Sequence, residues 1–126
     1  MIKEFIERFE KNKPKIDAAF RSEHPGDYSE IVRLVVESFE IDEFNVCEIP
    51  NGRQSGESLF VISSQATYPD AHWFVMVKYG SCTVCDTLMN IRWSGSDGGN
   101  SKPTGDQVSG YMKLALHIAQ GIKVLE

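Results

Sequence analysis

His72-Trp73-Phe74-Val75-Met76-Val77-Lys78-Tyr79 is the strongest β-strand signal in this chain, a run of β-branched and aromatic side chains without a turn residue. Two other runs precede it. Phe44-Asn45-Val46-Cys47-Glu48-Ile49 has period two and reads as a strand, followed by a long turn, Pro50-Asn51-Gly52-Arg53-Gln54-Ser55-Gly56. Leu59-Phe60-Val61-Ile62 is the next strand, and Gln65 to Ala71, holding Tyr68-Pro69-Asp70, is the loop before His72. Consecutive strands joined by short loops favour antiparallel pairing, so the middle of the chain predicts an antiparallel sheet of three or four strands.

Outward from the sheet the period changes to that of helices. Ile2, Phe5, Ile6 and Phe9 recur at three- and four-residue spacing and predict an amphipathic helix over about residues 2 to 12. Pro14 is expected to interrupt it, with a further turn or two carrying Ile16, Ala19 and Phe20 to Ser22. His24-Pro25-Gly26-Asp27 is a break, and Asp27 or Ser29 can cap the next helix, whose Ile31, Leu34, Val35, Ser38 and Phe39 share one side as far as about Glu40. On the C-terminal side, Leu88, Ile91 and Arg92 fit a helix while Met89, Ile91 and Trp93 fit a strand. Asp86 and Thr87 suit a first helical turn and favour helix. Ser94 to Lys102 reads as a flexible linker too polar to pack. Thr104 and Gln107 match a capping box opening a helix to about Val124, with Val108, Tyr111, Met112, Ala115, Ile118, Ala119 and Ile122 on its buried face. Helices and strands in separate runs give a single α+β domain over residues 1–126: N-terminal helices, the antiparallel sheet, and two C-terminal helices packed on one of its faces.

Bulk properties narrow the function classes. With 126 residues, 41% apolar and 25% charged, the chain suits one soluble domain with a real core. It has no apolar run near the roughly 18 residues of a membrane span, and its first turn already alternates charge with apolar residues, unlike a secretory signal. Both observations, with an odd count of three cysteines, point to the cytoplasm rather than a secreted disulfide framework. A net charge of −5 argues against nonspecific nucleic-acid binding. The acidic stretch of Glu37, Glu40, Asp42, Glu43 and Glu48 reads as a solvated surface.

The one motif that could carry chemistry is Tyr79-Gly80-Ser81-Cys82-Thr83-Val84-Cys85-Asp86. Two thiols three positions apart, after a strand and before a helix, can act as a redox couple, because a helix N-terminus stabilises a thiolate. They can also supply half of a zinc site, with Cys47 and either His72 or His117 as the remaining ligands. The third reading is that Cys82 and Cys85 pack as small apolar residues at a tight turn. The surroundings of a thioredoxin-like βαβ unit are missing, and no second Cys-x-x-Cys supports zinc. His117 shares a helix stripe with Lys113 and Gln120, which reads as a solvated face. Trp73, Phe74, Tyr79 and Trp93 are expected to fill the core.

Phe74 to Leu88, with its Tyr-Gly-Ser-Cys-x-x-Cys-Asp-Thr-Leu stretch, together with Leu114-Ala115-Leu116-His117-Ile118-Ala119-Gln120, resembles a group of small proteins found in bacteriophage genomes and prophages. The resemblance covers residues 44 to 126, and the first 40 loosely. Thr83-Val84 stands where that group usually carries Ser-Gly. It implies a phage setting, in which a small protein binds and modulates a host component, and it supplies no catalytic residue. It also implies that Tyr79 to Leu88 and the face of His117 are neighbours.

The function these readings give is a non-enzymatic cytoplasmic binding protein of phage type, acting on a host protein or a small ligand without a cofactor. Tyr79, Cys82, Cys85, Asp86 and His117 are the candidate partner-binding residues, and a homodimer is among the open arrangements. The alternatives are a dithiol redox protein or sensor using Cys82 and Cys85, and a structural zinc protein using Cys82, Cys85, Cys47 and His72.

Overall fold

A computed structural model describes residues 2–41, 43–50, 57–64, 72–78, 87–93 and 102–124. Helices α1 (Ile2–Ser22) and α2 (Tyr28–Ser38) lead into strands β1 (Phe44–Pro50), β2 (Glu57–Ser64) and β3 (His72–Lys78). Helices α3 (Thr87–Arg92) and α4 (Gly105–Gly121) follow, and β4 (Lys123–Val124) closes the order. The sheet runs β1-β2-β3-β4 with every neighbour antiparallel. The fold is therefore α+β, with a four-stranded sheet. The turn at 51–56, the loop at 65–71, the Cys-x-x-Cys passage at 79–86 and the linker at 94–101 lie outside the described residues.

The sequence expectation of a break at Pro14 is corrected: α1 runs through it. Proline in a helix interior removes one N–H and crowds the carbonyl four residues back, at a cost of about 3 kcal/mol. Here Pro14 lies on the exposed side, while Phe9, Ile16 and Phe20 are buried on both sides of it along the opposite stripe. Burying three such side chains contributes about 1.5–3 kcal/mol each, which outweighs the proline penalty. The C-terminus is corrected too. The last helix stops at Gly121 and the chain turns extended at Ile122, where φ is −71° and ψ 132°, so Lys123 and Val124 can pair with Phe74 and Trp73. That fourth strand supplies the partner that β3 needs at its start.

Helix α2 begins where Asp27 accepts a hydrogen bond from the Glu30 N–H at 2.9 Å. It packs against α1, α4 and β1, which is why Val32 and Val36 are buried as well as the stripe of Ile31 and Val35. Its C-terminus is held from α1. Asn12, buried between the helices, donates to the Ser38 carbonyl at 2.9 Å, and Arg8 donates to the Phe39 carbonyl at 3.1 Å. Both satisfy last-turn carbonyls that have no partner within their own helix. Glu40 follows in the left-handed region at φ 63°, and Lys11 bonds its carboxylate at 3.2 Å, holding that carboxyl below the usual range.

Helix α4 opens on the capping box expected from Thr104 and Gln107. Gln107 does more than cap. Its Oε1 accepts from the Thr104 N–H at 2.8 Å, while Nε2 donates to the carbonyls of Ile91 at 3.3 Å and Arg92 at 3.2 Å. Its buried amide thus joins the end of α3 to the start of α4. The start of α3 is held by α2, where the Tyr28 hydroxyl accepts from the Leu88 N–H at 2.8 Å. Gly110 lets Ile91 approach the α4 backbone, because a Cβ there would stand 3.2 Å from Ile91 Cγ1.

Candidate functional site

Register decides what each face of the sheet presents. Val46, Ile62 and Trp73 stand in one row, Phe60 and Val75 in the next, and Ser58 and Val77 in a third, all buried beneath the helices. Side chains alternate across a strand, so the residues between them point the other way. On that second face Cys47, Val61 and Phe74 form one row and Ile49, Leu59 and Met76 the next. A polar row of Asn45, Ser63 and His72 borders them on one side, and Glu57 with Lys78 on the other. Among the described residues no helix or strand packs over this face. Ile49 is 48% exposed and Met76 43%, while Leu59, Val61 and Phe74 are half-buried.

This face was the feature that sequence reasoning missed, and its signal was in plain view. Leu59-Phe60-Val61-Ile62 and Trp73-Phe74-Val75-Met76-Val77 are apolar on successive residues, not alternate ones. Runs of that kind belong to strands covered on both sides. Here one cover is the helix layer, and among the described residues no element covers the other side. An apolar patch with polar borders is the layout of an interaction surface.

The residues singled out from the sequence are distributed as follows. Tyr79, Cys82, Cys85 and Asp86 lie outside the described residues, between the end of β3 at Lys78 and the start of α3 at Thr87. Cys47 is an exposed free thiol on the open face of β1. His72 is half-buried on the same face of β3, with its Nδ1 2.9 Å from the Ser63 hydroxyl. Cys47 and His72 lie two strand spacings apart, with β2 between them, and two residues out of register along the strands, a separation of about 12 Å. Among the described residues no three His, Cys, Asp or Glu side chains gather as metal ligands. His117 is exposed on α4, in line with the solvated face expected of it, and lines a cleft of about 260 Å³ with Val75 to Lys78 of β3.

Two aromatic assignments are corrected by the packing. Trp73 fills the core as expected, edge-on to Phe5 at 5.5 Å, but Phe74 belongs to the open face and Trp93 is 57% exposed just past the end of α3. Trp93 follows the helical spacing of Leu88 and Ile91 out of register, so it emerges on the solvent side. Sequence reasoning also missed His24. Its Nδ1 lies 2.6 Å from the hydroxyl of the fully buried Tyr111, and burial raises the pKa of that phenol.

No family model, curated protein or solved structure matches this chain. Among the described residues, no helix is long and apolar enough to cross a membrane.

Proposed function

We propose that this chain is a non-enzymatic binding protein of phage type that modulates a host protein, with the open face of its sheet as the working surface. The observation that carries the reading is the pair of apolar rows, Cys47-Val61-Phe74 and Ile49-Leu59-Met76, left without a covering layer among the described residues. Apolar side chains held on strands form a rigid surface, so a partner loses little freedom to ordering this side of the contact. The phage setting rests on the resemblance of residues 44 to 126 alone.

The test is retention of host proteins from a bacterial lysate by the immobilised chain and by its Val61→Asp variant, with circular dichroism to establish that the variant is folded. The expected result is a host protein retained by the native chain and lost by the variant. Equal retention by both, or none by either, overturns the reading. The dithiol and zinc alternatives turn on Cys82 and Cys85. Rapid alkylation of those two thiols at neutral pH, or stoichiometric zinc in the purified protein, would favour them instead.

A further inference from the structure

We propose that a second copy of this chain covers the open face, the two sheets packing face to face about a two-fold axis that runs along the strands between β2 and β3. The inference rests on the reading above only for the open face being the working surface; a second copy and a host protein would occupy that face in turn, not together.

Three observations lead to a second copy. The first is the pattern of β2 and β3, whose successive apolar residues suit strands covered on both sides while the helices cover one. The second is self-complementarity. An axis between β2 and β3 lays β2 of one copy on β3 of the other, so Val61 meets Phe74 and Leu59 meets Met76. The same operation brings Glu57 to Lys78 of the second copy, and Lys78 to its Glu57, at one end of the patch. At the other end the Ser63 and His72 pair meets its own equivalent, polar on polar. An axis across the strands would set Lys78 against His72 and Glu57 against Ser63, and the opposite charges would no longer meet.

The third observation is the charge of the face. Among the described residues its charged side chains are Lys78, Lys123 and Glu57, two cations against one anion, while the chain as a whole carries −5. The acidic surplus lies elsewhere, so two copies can meet here without stacking like charge. With the axis between them, β2 and β3 overlap in full, about 10 Å by about 25 Å, or about 250 Å² in projection on each copy. Counted on both copies and raised by side-chain relief, that area lies below the roughly 1,200 Å² at which stable specific pairs begin, in the size class of weak, transient contacts. A weak, reversible dimer, formed at micromolar concentrations and above, is expected of a contact of that class.

Sedimentation equilibrium of the full chain from about 1 to about 200 μM tests this range directly. The mass should rise from 14.2 kDa towards twice that value. Val61→Asp should weaken association by about 100-fold or more, because it buries an unpaired carboxylate. Met76→Lys, at a more exposed position, serves the same purpose should Val61→Asp fail to fold. Glu57→Lys should weaken association about tenfold, and combining it with Lys78→Glu should restore it. A chain that stays monomeric, or a dimer whose affinity neither face variant changes, overturns the proposal. The two readings fail separately. A monomer that still retains a host protein through this face overturns the dimer alone, whereas a face-to-face dimer that retains nothing overturns host binding alone.

Discussion

The two faces of the sheet are built from the same strands and nearly the same side-chain types, yet they have different fates. The inner face sets Phe60, Ile62, Trp73 and Val75 beneath α1, α2 and α4, and every one is buried. The outer face sets Leu59, Val61, Phe74 and Met76 at alternate positions of the same two strands, where none is fully buried. Hydrophobicity alone does not separate these two sets. What separates them, among the described residues, is the supply of covering elements, because the amphipathic stripes of the helices lie on one side. The inner cover is further fastened by buried polar contacts, notably Asn12 to Ser38 and His24 to Tyr111.

The largest effect that can break this comparison is truncation at the centre of each face. Phe60→Ala should cost about 3–5 kcal/mol in urea unfolding, as for a fully buried aromatic, while Phe74→Ala should cost the isolated chain about 1 kcal/mol or less. Similar losses for both, measured at a concentration well below association, would mean that the outer face is as covered as the inner one. Next is Asn12→Ala, expected to cost about 1–3 kcal/mol because it strips the Ser38 carbonyl of its buried donor. A value near zero would show that the helix layer is held by its apolar contacts alone.

Tyr111→Phe sharpens the same point with a smaller loss, about 1 kcal/mol, from the hydrogen bond to His24. Tyr111 also makes stability depend on pH in a definite direction. The folded chain holds the phenolic proton more tightly than the unfolded chain does, so its contribution is complete below about pH 10 and is lost as pH rises through the raised value. Alkaline denaturation should begin later in the Tyr111→Phe variant than its neutral-pH stability suggests, and identical alkaline limbs would refute that linkage. The smallest effect belongs to the outer face. Met76→Lys should leave the unfolding midpoint of the monomer within about 0.5 kcal/mol, read under the same dilute conditions.

Much of the fold was legible in the residues. The period change at Phe44, the three runs of β residues and the Thr104 to Gln107 capping box carry local rules, and the helix stripes of α2 and α4 follow from spacing. Pro14 was misread because a local penalty was weighed without the burial of Phe9, Ile16 and Phe20 around it. The end of α4 was placed too late, at Val124, because two residues of strand pairing leave no periodic signature. The candidate face was half legible. Unbroken apolar runs in β2 and β3 announce two covered sides, but which side the helices take is settled only by register and tertiary packing. The contacts of Asn12 with Ser38 and of His24 with Tyr111 join residues 26 and 87 positions apart, and no local pattern encodes them.

The amide of Gln107 has one more consequence. Its oxygen accepts a hydrogen bond from the Thr104 N–H while its nitrogen donates to two carbonyls of α3, so only one of its two flip states satisfies the site. Rolling α3 about its own axis would tear both of those bonds at once, which makes this side chain the orientational lock between two helices. Glutamate, nearly identical in shape, would present an oxygen where the nitrogen stands and turn two attractions into repulsions.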